Sequence, residues 1–341
     1  MTISKLIKAF SNSFNSERAI WRSFILVVFA LFALSGLIVG LVKGAVNIPI
    51  HDIVQAVINK GADVKGQIIW NIRLPRTLVG ALVGMNLALS GAILQAVMKN
   101  PLADPHIIGI SSGAGLAGII VLVLLPKMDY LLTPVAFTGA MGAACLIYIL
   151  AWKGGIRPIR IVLAGVAVSA FLGSGISALL VFYSDRVHGA LMWMVGGLAA
   201  RSWPHLYIIL PYAICGSLFA YWGAKHLNVL SLGDEVARGL GLKVELTRIT
   251  MTAVAALLAA SAVSVAGLLG FVGLIVPHGA RLLIGSDYRF LLPASALLGM
   301  GVVTLSDTLA QTLFSPVELP VGIIMAFFGA PFFLYLLRRE S

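Results

Sequence analysis

Arg73 and Arg76 bracket a Leu-Pro step, and an uncharged run of about 22 residues follows them. A second break, Asn100-Pro101-Leu102-Ala103-Asp104-Pro105, closes that run. A hydrocarbon core of roughly 30 Å is spanned by about 20 helical residues, so the block reads as one membrane crossing with a charged entrance and a structured exit. Both ends are candidates for function. Other residue types that could do chemistry fail on context. Gly109-Ile-Ser-Ser-Gly113 matches the nucleophile elbow, but that motif needs a strand-turn-helix setting and a nearby base, and here it opens an apolar helix. The chain has neither a phosphate-cradling P-loop nor a zinc-binding HExxH helix. Cys145 and Cys215 lie inside apolar runs without metal-ligand spacing. They read as packing residues.

Ionisable side chains inside a membrane are functional candidates by default. Asp307 and Glu318 qualify, and both fall near the ends of apolar runs. Glu318 lies in the turn Ser315-Pro316-Val317-Glu318-Leu319-Pro320, where it can be solvated. A proton-driven carrier would place an acid or histidine nearer the midplane. Met192, Trp193 and Met194 would suit a bulky ligand, with a core role as the alternative.

The elements that must position these residues follow from composition. The chain has 341 residues, 60% hydrophobic and 11% charged, against about 25% charged in a soluble domain. Lipid is its solvent, which excludes extensive disorder and a large soluble catalytic domain. Apolar runs at 24–42, 77–98, 107–126, 131–152, 161–183, 206–224, 249–267, 268–284, 290–314 and 319–337 predict an all-α integral membrane protein with ten transmembrane helices. Residues 249–280 are too long for one crossing, and Gly267, Gly270 and Gly273 offer the break. Residues 1–23 read as a cytoplasmic segment before a retained first helix, 24–337 as one ten-helix domain, and 338–341 as a cytoplasmic tail. With both termini cytoplasmic, 16 of the 24 Lys and Arg lie inside. Lys43, Lys60, Lys65, Arg73 and Arg76 form the main exception, all between the first two helices. The formal charge of +11 is thus spent on orientation in short clusters, which argues against a nucleic-acid partner. Gly36/Gly40, Gly80/Gly84 and Gly109/Gly113 carry the spacing of close helix packing.

Two inner segments look built for a partner. Residues 225–248 include a short surface helix between the sixth and seventh crossings. Ser231 with Asp234 resembles a capping box, Gly239 can end the helix, and Leu230, Leu232, Val236, Ala237 and Leu240 supply an apolar face. Docking into a groove and resting on headgroups are the two readings. Pro277-His278-Gly279-Ala280-Arg281 is the second, with Arg281 placed to cap its helix.

At these residues the chain resembles the FecCD-type permeases, membrane subunits of ATP-binding-cassette importers for iron-siderophores, haem and cobalamin. The match runs from about residue 20 to 339 through RLPR (73–76), QAVMKNPLADP (95–105), IGISSGAG (108–115), LAGVA (163–167), GDEVARGLGL (233–242), GFVGLIVPHGAR (270–281), ELPVG (318–322) and GAPFF (329–333). The resemblance implies a permease of a bacterial plasma membrane that pairs with a second permease chain around a central pathway. It implies two cytoplasmic ATPases, which would hold the ATP and Mg, with no cofactor on this chain. A periplasmic or lipid-anchored binding protein would dock outside, iron-siderophore being the leading cargo and haem or cobalamin the alternatives. An ion-coupled secondary transporter is the alternative from another class. Arg73 and Arg76 would be docking cations for that protein's carboxylates, with Glu318 and Gln311 in the same set. Gln311 stands where some members carry a third arginine, so docking would rest on fewer charges or on residues such as Lys65. Residues Leu230, Ser231, Leu232, Gly233, Asp234, Glu235, Ala237, Arg238, Gly239, Leu240 and Gly241 would couple to the ATPase. Asn100, Pro101 and Leu102, with Pro158 and Ile159 of the 156–160 loop, would lie near the inner gate.

Overall fold

The computed structural model describes residues 3–44, 50–58, 63–153, 155 and 157–340; Lys60 and Ile156 lie outside the described residues. The helices are α1 (Ile3–Val42), α2 (Ile50–Ile58), α3 (Val64–Ile68), α4 (Leu74–Met98), α5 (Ile110–Leu124), α6 (Leu132–Ala151), α7 (Pro158–Phe182), α8 (Val187–Val195), α9 (Trp203–Ser231), α10 (Asp234–Gly239), α11 (Val244–Ala266), α12 (Val272–Ile284), α13 (Tyr288–Thr312) and α14 (Val321–Glu340). Among the described residues there is no strand.

Among the described residues, seven stretches are long and apolar enough to cross a membrane: 19–42, 64–98, 129–151, 158–182, 203–231, 244–266 and 288–312. Three of the ten expected crossings fall instead on shorter apolar helices, at 110–124, 272–284 and 321–335. The 15 residues of α5 reach only about 22 Å at 1.5 Å each. Its expected first turn is lost because Pro105–Ile108 form a 3-10 turn and Gly109 takes a left-handed φ of 66°. The expected break in 249–280 is present: α11 stops at Ala266 and α12 starts at Val272. At the other extreme, α1 begins at Ile3, because no Gly or Pro interrupts the chain before Gly36. The polar N-terminal segment therefore continues the first helix.

The axis of the fold is α4, which packs against α13, α11, α9 and α12. Pro75 is its second residue, just after the helical turn Ile69–Arg73. The helix ends where Lys99 turns left-handed (φ 51°) ahead of Pro101. Most of its side chains are buried. By contrast α7 leaves Leu163, Val166, Phe171, Val181 and Phe182 more than half exposed. With lipid as solvent, such a face needs no polar cover.

Backbone contact explains how α4 collects so many neighbours. A Cβ on Gly84 would lie 2.1 Å from the Gly299 carbonyl oxygen of α13, and one on Gly91 1.8 Å from that of Gly273 in α12. Asn86 donates to Ser261 Oγ at 3.0 Å and Ser90 to the Ala255 carbonyl at 2.7 Å, joining α4 to α11. Gly91→Ala is expected to destabilise the fold by about 1–3 kcal/mol through overpacking. The check is thermal unfolding in detergent; a melting temperature equal to that of the parent chain would contradict the α4–α12 contact.

Candidate functional site

Two polar clusters sit at opposite ends of α4. The helix has 25 residues, so they are separated by about 37 Å. At its N-terminal end the chain passes through a π-helical turn, Ile69–Arg73, directly into Leu74. Both arginines of the RLPR step consequently face protein. Arg73 is 7% exposed and donates from one terminal nitrogen to the Leu41 and Val42 carbonyls at 2.9 and 3.0 Å, the open C-terminal carbonyls of α1. Arg76 is 8% exposed. It grips Asp307 of α13 with two parallel bonds, Nε to Oδ2 at 2.9 Å and Nη2 to Oδ1 at 3.0 Å, and reaches Glu318 at 2.9 Å. Gln311 completes the set, its amide donating to Asp307 Oδ2 at 2.8 Å.

Both guanidiniums of the expected docking pair are thus buried on acceptors of their own chain. The energetic reason is that a cation beside an apolar helix bundle is stable only when paired. Glu318 keeps a side chain 44% exposed while bound to Arg76. Lys65, 54% exposed, pairs with Asp52 at 3.2 Å.

At the other end lies α10. Asp234 accepts from Lys99 Nζ at 2.5 Å and from Arg248 Nη2 at 3.0 Å. Lys99 terminates α4, and Arg248, 1% exposed, belongs to α11. Burial works to raise the Asp234 pKa, but the hydrogen bonds and charges of Lys99 and Arg248 prevail and hold its carboxyl below the usual range. The carboxylate is ionised at neutral pH, and its ionic links weaken only as pH falls through that depressed value. A six-residue helix is thereby bonded to two core helices.

Several expectations for this segment change. Ser231 ends α9, where its hydroxyl donates to the Asn228 carbonyl, so it does not cap α10. The residue before α10 is Gly233 at φ 112°. The expected apolar face is divided. Leu230 and Ala237 are fully buried, whereas Leu232, Val236 and Leu240 are 60%, 50% and 63% exposed. Gly239 ends the helix and Gly241 follows at φ 82°. Arg238 meets Glu245 at 3.5 Å, and Glu235 is exposed. Arg281 does not cap its own helix; it donates to Gln95 of α4 at 2.8 Å.

Asn100 directs the turn after α4, its side-chain oxygen accepting from the Leu102 N–H at 2.9 Å. Leu102 borders a cavity of about 370 Å³ with Phe271, Leu274 and Phe333. Pro101 is exposed in the same turn. Pro158 and Ile159 open α7, and the side chain of Ile159 is 62% exposed. These two do not border the Leu102 cavity.

Sequence reasoning put Arg76 and Glu318 in one docking set and Asp307 apart as a membrane acid, and it named Asp234 both as a cap and as an ATPase-coupling residue. It missed Lys99 and Arg248. The only available signal was a lone basic residue at the end of each of two apolar runs.

A family model described as the FecCD transport family matches residues 26–339. The Fe(3+)-citrate import system permease protein YfmD of Bacillus subtilis is 38% identical, covering 95% of this chain and 97% of its own. The cobalamin import system permease protein BtuC of Halobacterium salinarum is 45% identical over 80% of this chain and 74% of its own. A solved inward-facing conformation of a metal-chelate type ABC transporter superposes with a TM-score of 0.83 at 29% identity, over 93% of this chain and 99% of the other.

Proposed function

Because this chain belongs to the FecCD transport family, we infer that it is the membrane permease subunit of an ATP-binding-cassette importer for a metal chelate. One observation carries the mechanism: the surface helix α10 is bonded through Asp234 to Lys99 of α4 and Arg248 of α11. A partner ATPase dimer, which holds the ATP and Mg, seats α10 in its cleft through Leu232, Val236 and Leu240. Closure of that dimer loads α10, and Asp234 passes the load to two buried helices. Close glycine contacts make α4 move with α12 and α13 as a unit, so the turn at Asn100–Leu102 shifts when α4 tilts. Pro158 and Ile159 lie at the same side of the membrane as a second part of the gate.

The ten apolar helices cross with both termini cytoplasmic, the three short ones spanning together with their flanking turns. The Arg76 end is then extracytoplasmic and receives the binding protein. There Arg73 and Arg76 act as positioning residues that brace α1, α4 and α13, while Glu318, Gln311 and Lys65 form the presented surface. A second permease chain completes the pathway. An iron chelate is the favoured cargo, supported by the similarity to a ferric-citrate permease over almost the whole chain.

Reconstitution tests this reading. In proteoliposomes with its ATPase and binding protein, the chain should take up a labelled ferric chelate only when ATP is supplied. Uptake by this chain alone under a proton gradient would establish the secondary-transporter reading instead.

A further inference from the structure

A cavity of about 320 Å³ lies between the end of α9 and the first turns of α11, bordered by Trp222, His226, Lys243, Leu246, Thr250 and Met251. Its level in the membrane follows from length. The 29 residues of α9 extend about 43 Å, against a hydrocarbon core of roughly 30 Å. Trp222 and His226 belong to the last third of α9, and Lys243 directly precedes α11. The cavity therefore falls at the headgroup boundary.

Its walls differ in chemistry. Trp222 is 71% exposed, and Tyr207, Ile214 and Leu218 continue the same exposed face of α9 at helical spacing. The cavity thus opens at the foot of a lipid-facing stripe, with exposed Leu246 on its α11 side. Against this apolar wall stand Lys243, which is exposed, and His226, whose ring lies 5.5 Å from that of Trp222. Lys225 is exposed next to His226. Among the described residues no carboxylate pairs with Lys243 or Lys225. Glu245, the acid of the first turn of α11, meets Arg238, and Asp234 is held by Lys99 and Arg248. The site combines uncompensated positive charge, N–H donors on Lys243, His226 and Trp222, and an apolar wall. A phosphodiester joined to acyl chains has the matching parts. Basic pockets at the cytoplasmic ends of transmembrane helices take anionic headgroups, and tryptophan rings settle at the same level.

We propose that this cavity binds an anionic phospholipid, its headgroup phosphate on Lys243 and His226 and its acyl chains along Trp222 and Leu246. The cytoplasmic placement rests on the importer reading, in which α10 faces the ATPase. Gly241 and Leu242, which lead out of α10, also border the cavity. A bound lipid consequently braces the turn that joins the coupling helix to α11.

The test is tryptophan fluorescence of the full chain in phosphatidylcholine nanodiscs, titrated with bromine-labelled phosphatidylglycerol or, as control, bromine-labelled phosphatidylcholine. The parent chain should reach half-maximal quenching at about a fivefold lower fraction of the anionic lipid, the scale of one lysine near a lipid surface. Lys243→Gln should remove most of that preference and Lys243→Arg should keep it. Trp222→Phe should abolish the quenching specific to phosphatidylglycerol. An equal preference in the parent and Lys243→Gln chains overturns the proposal. So does specific quenching that survives in Trp222→Phe, because the lipid then sits elsewhere. Displacement of the labelled lipid by inorganic phosphate would reveal a free-anion site and reject the lipid. A parent chain without lipid preference, whose Lys243→Gln variant no longer retains the ATPase, would give the cavity to that protein instead. The titration uses neither ATP nor a binding protein, so failure of ATP-driven uptake refutes the importer reading and leaves lipid binding to be judged separately.

Discussion

Arg76→Gln is expected to destabilise the folded chain by about 3–5 kcal/mol, the usual consequence of removing one partner from a buried ion pair. Asp307 has a side chain 7% exposed, and its two bonds from Arg76 account for most of its compensation. Gln311 supplies one neutral donor, which cannot replace a guanidinium. Unfolding followed by circular dichroism in mixed micelles gives the measurement. Arg76→Met combined with Asp307→Leu should recover much of the loss, since replacing a whole buried pair by apolar groups is often neutral or better. The experiment also separates two roles. If Arg76 served only to meet a partner's carboxylate, its replacement would leave unfolding within about 0.5 kcal/mol of the parent while abolishing uptake that depends on the binding protein. That pair of results would remove the bracing role.

Asp234→Asn should lower ATP-driven uptake about tenfold or more while leaving ATP hydrolysis by the partner chains measurable. The substitution keeps the shape of the side chain and removes the charge that draws Lys99 and Arg248 together. A hydrogen bond to a charged group contributes about 1.5–3 kcal/mol, enough to change the fraction of strokes that reach α4 by at least that factor. Hydrolysis and transport must be measured on the same proteoliposomes, because the expected signature is their divergence. Uptake that falls in proportion to hydrolysis would place the defect in ATPase docking rather than in transmission. Uptake equal to the parent's would discard the Asp234 link altogether.

The class of molecule was legible in the chain, and so was much of its detail. Low charge and repeated apolar runs require lipid, because nothing else solvates such a surface. The break between α11 and α12 was readable at Gly267, which needs φ 77°. The helix α10 was readable because Gly239 and Gly241 end it within a turn. Glycine spacing announced close packing, although it could not say that Gly91 meets Gly273 or that Gly84 meets Gly299.

What only the tertiary structure decided is which charges are paired. Arg76 and Asp307 are 231 positions apart, and Lys99 and Asp234 are 135 apart. Periodicity reports which face of a helix is apolar, and it carries nothing about which helix stands opposite. Read locally, Arg73 and Arg76 are surface cations at the start of a crossing. In the fold, a buried charge without a partner is too costly to keep, and so α1 and α13 come to supply the acceptors.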